Sequence, residues 1–235
     1  MAIPASAVSL DEYKFNMEIG EGYQILTEDN IQKSDELVSS LGHNIDSMKQ
    51  YFKQNSLILF AISEDGKRQI QVTCIETELS KQLNDISLMD EGDALGFVGK
   101  FIKADNISSV SLVTIGDMKL YEAASTDKDS GGNFATVQYV TIRGGKLYTI
   151  GFFESAASIS AEFKDFAQKT INTLSIKGSQ NGDFSGTENI AEMIIVGLLI
   201  LLAAVVLIIT VVSLIRDFAR YDENERPIII RRRKK

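Results

Sequence analysis

The chain holds one histidine and one cysteine, and these two residues bound the nucleophilic chemistry that it could perform. Any Ser-His-Asp or Cys-His arrangement would depend on His43 as its histidine. His43 lies between Gly42 and a predicted helix start, and no neighbouring residue indicates a catalytic partner. Cys74 lies on the Ile70-Val72-Cys74 face of a predicted strand, where a small apolar thiol packs well. The sequence therefore predicts no catalytic residue, and one cysteine excludes an intrachain disulfide.

Metal and phosphate sites are equally weak in the sequence. Asp127 to Asn133 resembles a calcium loop superficially, but the side chain at the fifth place is absent and no bidentate glutamate closes it, so we predict a polar turn between two strands. Gly92 and Gly96 precede no Lys-Ser/Thr pair and follow no strand, which excludes a phosphate cradle. The many acidic residues, without a histidine cluster or a paired-carboxylate spacing, are typical of a solvated surface. We expect no metal, no cofactor and no cofactor-binding residue.

Charge is unevenly placed along the chain, whose net charge is −8. From Arg216 onward the chain has eight basic and four acidic residues, which leaves 16 basic and 28 acidic residues before Arg216. An acidic domain would repel a phosphate backbone and forgo the counterion release that drives most nucleic-acid affinity. Nucleic acid is therefore excluded as a partner.

An uncharged apolar segment near the C-terminus predicts a transmembrane helix. Met193 to Ile215 holds no charged residue. At about 1.5 Å per residue it would reach roughly 34 Å, enough to cross a hydrocarbon core of about 30 Å. We therefore expect the lipid bilayer to be a partner of this segment.

The charges on either side of this segment predict its orientation. Acidic residues precede it, whereas residues 216–235 form a basic tail that ends in five consecutive cations, so the positive-inside rule places the C-terminus in the cytoplasm and the domain outside. Such a domain needs an export signal. Residues 1–10 contain the small-residue pattern Ala5-Ser6-Ala7 of a cleavage site without a basic start, which indicates the end of a truncated signal peptide.

Between the span and the domain, Lys177 to Glu192 is rich in Gly, Ser and Asn and is expected to be a flexible linker. The domain, residues 11–176, should have one core. Helices are predicted from apolar periodicity around Asn44 to Phe52, Leu79 to Ile86, Leu95 to Ile102 and Ile159 to Leu174, with Asn44 and either Ser158 or Ser160 as N-caps.

Strands are predicted wherever apolar and β-branched residues run or alternate between turn signals. The segments are Tyr13 to Ile19, Tyr23 to Thr27, Leu57 to Ser63, Gln69 to Thr77, Val110 to Ile115, Lys119 to Ala124, Phe134 to Arg143 and Leu147 to Phe153. Asp65-Gly66 supplies the positive φ of a tight hairpin, and the last four strands should form an antiparallel meander with the closing helix across it. We predict an α+β domain in which helices flank an antiparallel sheet.

This order of elements resembles the PsbP-like fold, seen in extrinsic photosystem proteins, a nuclear-import factor and many small secreted or lipid-anchored bacterial proteins. The resemblance is carried by Met48 to Ile62, the Asp65-Gly66 hairpin, the Ser111 to Tyr121 strands, Gly144 to Ile150 and the closing helix. It implies a non-enzymatic domain that binds or assists other proteins, and no catalytic residues transfer. Bacterial relatives often carry an N-terminal lipid-anchoring cysteine, whereas this chain has a predicted C-terminal helix instead.

The sequence favours a membrane-tethered extracytoplasmic binding or assembly module at the plasma membrane, with an envelope protein as its expected partner. A cytoplasmic-face, tail-anchored adaptor is the first alternative, and a full signal peptide upstream of Met1 would exclude it. A membrane-bound hydrolase is the second alternative, and it would require a pocket with convergent polar groups that spacing alone does not reveal.

Overall fold

A computed structural model describes residues 6–83, 85–86, 107–129 and 132–178. The predicted transmembrane segment Met193 to Ile215, the basic tail, most of the linker, the helix predicted from Leu95 to Ile102 and the two glycines Gly92 and Gly96 lie outside the described residues. Within the part of the chain that is described, no helix is both long and apolar enough to cross a membrane.

Two antiparallel sheets form the framework. The smaller has the order β1-β2-β10 and the larger the order β3-β4-β5-β9-β8-β7-β6. The strands are β1 (Ser6–Leu10), β2 (Phe15–Ile19), β3 (Tyr23–Leu26), β4 (Leu57–Ser63), β5 (Arg68–Ile75), β6 (Ile107–Ile115), β7 (Met118–Asp129), β8 (Gly132–Arg143), β9 (Lys146–Glu154) and β10 (Ser175–Ile176). The helices are α1 (Asp35–Ser40), α2 (Ile45–Gln54), α3 (Glu78–Leu83) and α4 (Ala161–Ile171), with 3₁₀ turns at Asp11–Tyr13 and Ile31–Lys33. The predicted class, helices beside antiparallel sheet, is confirmed.

The local predictions of hairpin and meander are confirmed by the strand pairing. β4 and β5 pair antiparallel up to Ile62 and Gln69, and Gly66 in their turn has φ +70°. The Asp65 side chain accepts hydrogen bonds from the Ser63 hydroxyl and the Lys67 amide, which holds this turn. β6, β7, β8 and β9 follow one another in the sheet, each antiparallel to the next.

Apolar residues are buried on both sides of the larger sheet, so the expectation of one core is too simple. The larger cluster lies between this sheet, the small sheet and α4, where Phe163 is fully buried. The second cluster joins α1 and α2 to β3 and β4. β4 explains the division, because Leu59 and Ala61 belong to the first cluster while Leu57 and Phe60 belong to the second. A strand that is covered on both faces reads as a continuous apolar run.

Three of the differences from the predicted element bounds concern the first two strands and the β7–β8 turn. The structure adds β1 before the predicted domain start at residue 11, because Ser6 to Leu10 pairs with β2. β2 begins only at Phe15, since Lys14 has φ +53° and interrupts the predicted strand. The polar turn predicted at Asp127 to Asn133 is shorter than expected, because the β7–β8 ladder continues until Asp129 pairs with Gly132.

Candidate functional site

A cavity of about 420 Å³ opens between α1, α2 and the β3–β5 end of the large sheet. Its size falls in the range of small-molecule sites, which are mostly apolar and carry a few polar groups. The lining residues come from both helices, three strands and the β4–β5 turn: Gln24, Leu37, Ser40, Leu41, His43, Met48, Tyr51, Phe60, Ile62, Ser63, Glu64, Asp65, Gly66 and Gln69. We call this cavity the α1–α2 pocket.

Two helix-end motifs in succession position His43 in this pocket. α1 ends in a Schellman motif, in which the Gly42 amide donates to the Ser39 carbonyl and the His43 amide donates to the Val38 carbonyl. Gly42 takes φ +75°, which a glycine adopts without steric cost. α2 begins immediately afterwards with a capping box on Asn44. The backbone of His43 is thus held from both sides.

The capping box is built from two side chains and also touches the imidazole. The Asn44 side chain accepts from the Ser47 amide at 2.8 Å, and the Asn44 amide donates to the Ser47 hydroxyl at 3.0 Å. His43 Nδ1 lies 3.3 Å from the same hydroxyl. Because Ser47 is engaged in capping and does not line the pocket, this His-Ser contact orients the ring and does not activate a nucleophile.

The electrostatic state of His43 follows from its partial burial. Desolvation lowers the pKa of this imidazole below its ordinary value, so the ring is neutral at physiological pH. Its Nε2 atom is buried without a hydrogen-bond partner among the described residues. The His43 ring also lies beside Tyr51, with 6.1 Å between the ring centroids.

Tyr51 and Gln69 bring two further unpaired polar groups to the pocket. Tyr51 is only 9% exposed and its hydroxyl has no partner in the described part of the chain; burial raises its pKa, so the phenol keeps its proton. Gln69 on β5 is 4% exposed, and its Oε1 atom is likewise unpaired there. A buried polar group left unsatisfied costs about 1–3 kcal/mol. Three such groups around one cavity are a binding feature that a ligand could satisfy.

The rim of the pocket is acidic. Glu64 and Asp65 line it from the β4–β5 turn, and the described lining residues include no lysine or arginine. Hydrogen bonds from the Ser63 hydroxyl and the Lys67 amide lower the pKa of Asp65, so this carboxylate is ionised at neutral pH. The rim therefore carries the two carboxylates of Glu64 and Asp65, of which Asp65 pairs with Lys67 Nζ at 3.5 Å.

The structure gives less support for a functional site at the other candidate residues of the sequence analysis. Cys74 is half-buried against the main core, and desolvation raises the pKa of its thiol to about 11, so the thiol is protonated at neutral pH. Lys146 and Glu76 pair nearby at 3.6 Å. Asp127 to Asp129 belong to β7. In the described residues no group of three or more His, Cys, Asp or Glu side chains could hold a metal ion.

Sequence reasoning missed two of the three lining residues that carry an unpaired buried polar atom. Tyr51 falls on the apolar stripe of α2, which predicts a core role, and its unpaired hydroxyl becomes visible only when the helix is packed. Gln69 and Gln71 offered a signal, because they alternate with Ile70 and Val72 in β5 where a polar face would be expected to meet solvent. Both glutamines are buried. A glutamine within an apolar strand is therefore the sequence feature that could have indicated a polar group in the pocket.

A buried ion pair was also missed. Arg143 donates from Nη1 to Asp85 at 2.9 Å and from Nη2 to Asp117 at 2.6 Å. Asp85 follows α3 and Asp117 lies in the β6–β7 turn, so one guanidinium joins three parts of the chain. Their separation in sequence, 58 residues in one case and 26 in the other, gave no signal.

Comparison with known proteins shows likeness of fold alone. No protein-family model matches the chain, and no curated protein matches it. A crystal structure of a protein from Bacteroides thetaiotaomicron VPI-5482 is similar with a TM-score of 0.42 and 13% identity, over 71% of this chain and 46% of that one. The solution structure of cyanobacterial PsbP (CyanoP) from Synechocystis sp. PCC 6803 is similar with a TM-score of 0.46 and 11% identity, over 75% of this chain and 95% of that one.

The matched part of this chain thus spans less than half of the Bacteroides protein and nearly all of the cyanobacterial one. The class that the fold defines is a mixed α and β domain built on antiparallel sheets with few helices in its described part.

Proposed function

We propose that this chain is a membrane-tethered binding module whose domain holds a small apolar ligand in the α1–α2 pocket. The observation that carries the proposal is that His43, Tyr51 and Gln69, each with a buried polar atom unpaired among the described residues, line one largely apolar cavity. A ligand that pairs with these atoms offsets a cost already present in the unliganded fold. Apolar contact with the pocket walls supplies the rest of the affinity.

The single histidine of the chain provides a direct test. The chain in lipid nanodiscs, carrying histidine labelled with ¹³C at ring Cε1, should give one imidazole signal because the sequence holds a single histidine, His43. We expect 2-phenylethanol, a small water-soluble apolar alcohol, to shift this signal in a saturable way. A signal that does not move up to the solubility limit of the alcohol would overturn the proposal.

Two neighbouring serines of α1 provide a matched pair of variants. Ser40 lines the pocket and Ser39 does not, and both are exposed. Ser40→Trp should fill the cavity and abolish the saturable shift, whereas Ser39→Trp, with the same bulk one position away, should leave it unchanged. Loss of the shift in both variants, or in neither, would place the ligand elsewhere and contradict the assignment of the pocket.

We also propose a PsbP-like fold, a span at Met193 to Ile215 and a domain outside the cytoplasm. The uncharged segment, the acidic residues before it and the basic tail after it support this topology. The acidic rim of the pocket agrees with a site that meets solutes rather than the anionic inner leaflet. On this arrangement an envelope protein could deliver or receive the ligand.

Protease accessibility tests the orientation. In intact cells that carry the native gene with its upstream sequence, external protease should digest the domain and leave the tail protected. Protection of the domain until the cells are lysed would instead establish the cytoplasmic-face adaptor.

A further inference from the structure

The chemistry of the ligand can be narrowed from the hydrogen-bonding capacity of the pocket. Gln69 Oε1 can only accept a hydrogen bond, whereas the Tyr51 hydroxyl can donate or accept. The direction of the His43 contact depends on which ring nitrogen carries the proton. The neighbours of the ring decide that question.

The capping box assigns the tautomer of His43. The Ser47 hydroxyl has one hydrogen, and it donates that hydrogen to the Asn44 carbonyl at 2.9 Å, closer than the 3.3 Å to His43 Nδ1. Nδ1 must then carry the ring proton and donate to the Ser47 oxygen. This leaves His43 Nε2, the unpaired buried atom, as an acceptor.

The unpaired atoms of the pocket are therefore mainly acceptors. Nε2 of His43 and Oε1 of Gln69 both require hydrogens from a ligand, and the Tyr51 oxygen can accept a third. A hydroxyl group supplies one hydrogen and a carboxylate supplies none, whereas an amino group supplies two or three. With Glu64 at the rim beside the Asp65–Lys67 pair and no cation among the described lining residues, an anionic head would be disfavoured as well as unpaired.

We propose that the α1–α2 pocket selects an apolar compound with a primary amine head, which donates to His43 and Gln69. Met48, Phe60 and Leu41 pack against its apolar skeleton. This inference rests on the proposed function and specifies its ligand class. Desolvation of an ammonium is costly unless acceptors replace its water shell, and the three unpaired atoms together with the acidic rim do so.

Three compounds with one skeleton and different heads test the proposal: 2-phenylethylamine, 2-phenylethanol and 3-phenylpropanoate. Each is titrated against the ¹³C-histidine-labelled full chain in zwitterionic nanodiscs, with empty nanodiscs as the blank. We expect the amine to bind at least about tenfold more tightly than the carboxylate, with the alcohol between them, because hydrogen bonds to charged groups are the stronger kind. A carboxylate that binds as tightly as the amine would overturn the amine assignment while leaving the pocket itself established.

Gln69→Leu and Tyr51→Phe separate recognition from a structural role. Each removes a buried polar atom that is unpaired in the described chain and keeps most of the side-chain volume, so both variants should fold, and the readout is the ratio of amine affinity to alcohol affinity in each variant. Gln69→Leu should reduce the preference for amine over alcohol by about tenfold, and Tyr51→Phe should reduce it less. An unchanged preference in Gln69→Leu would contradict the proposal. If none of the three compounds shifts the His43 signal, the proposed function itself fails.

Discussion

His43 is the residue whose environment connects the fold to the proposed site. Its ring lines the pocket between the Schellman motif before it and the capping box after it, and its Nε2 is buried without a partner in the described chain. Burial favours the neutral ring. A single titratable side chain therefore reports on the stability of the domain and on the state of the pocket.

This burial predicts how stability changes with pH. The unfolded chain takes up the His43 proton near pH 6.5, whereas the folded chain resists it because desolvation lowers the pKa. Stability is thus fully present above pH 6.5 and falls as the pH drops toward the lowered value. Nearby, Tyr51 stays protonated and Asp65 stays ionised in this window.

Urea unfolding of the full chain in nanodiscs at pH 7.5 and pH 5.5 measures the effect. We expect the wild type to lose more free energy of unfolding between these pH values than His43→Gln, which has no imidazole to titrate. Equal losses in the two proteins would show that His43 is not desolvated in the fold.

Among the elements, the connection between α1 and α2 sets the shape of the pocket. Asn44 caps α2, and α2 carries both Met48 and Tyr51 into the pocket wall. Substitution of a capping residue by alanine typically costs about 1 kcal/mol. The cap therefore contributes both to stability and to the placement of the Tyr51 hydroxyl.

Asn44→Ala should lower the free energy of unfolding by about 1 kcal/mol and weaken binding of 2-phenylethanol. Asn172→Ala is the matched control, because Asn172 is exposed at the end of α4 and is not among the pocket-lining residues. Chemical denaturation and the His43 titration measure both quantities. Identical behaviour of the two variants would show that the cap has no part in the site.

The Arg143 ion pairs join α3 to the large sheet and offer a second comparison at this scale. The side chain of Asp85 is 1% exposed and that of Asp117 is 64% exposed, although both contact the same guanidinium. Removal of one partner from a buried ion pair leaves an uncompensated charge and costs about 3–5 kcal/mol. Exposed pairs contribute far less because water screens them.

Asp85→Asn should therefore destabilise the chain by about 3 kcal/mol, and Asp117→Asn should have a much smaller effect. Thermal unfolding followed by circular dichroism distinguishes them. A larger loss in Asp117→Asn than in Asp85→Asn would show that burial does not govern this network.

For the whole molecule, the decisive arrangement is an acidic domain, a linker, an apolar segment and a basic tail in that order. The described domain contains no helix able to span a membrane. In the proposed topology, membrane attachment is assigned to the uncharged segment Met193 to Ile215. An arginine at the centre of a span costs about 2.5–3.5 kcal/mol on insertion scales, and two arginines roughly double that cost. Membrane insertion can therefore be tested by substituting charged residues into this segment.

The full chain translated in the presence of microsomes should resist alkaline extraction. The double variant Ala203→Arg/Ala204→Arg should be largely extracted, while Ala219→Arg, which adds a cation to the basic tail, should remain with the membrane. Retention of the double variant would contradict a span at this segment.

Local patterns accounted for much of the fold. The hairpin at Asp65-Gly66, the meander of β6 to β9, the α2 cap at Asn44 and the α4 cap at Ser160 are all confirmed, because each depends on neighbours close in sequence. β1 was missed, since Ser6 to Leu10 is stabilised as a strand by pairing with β2 and carries no strong periodicity of its own. α1, six residues long, is too short to show a stripe.

The amino-acid sequence by itself determined the class of the domain, its local turns and caps, and the charge asymmetry on which the proposed topology rests. Only the tertiary structure decided which polar side chains are buried without partners. The Tyr51 hydroxyl lies on α2 and the Gln69 Oε1 atom on β5, and whether either finds a partner in the described chain depends on how these separate elements pack in the fold. Sequence patterns report whether a residue faces the interior, but hydrogen-bond satisfaction depends on atoms that are distant in the chain.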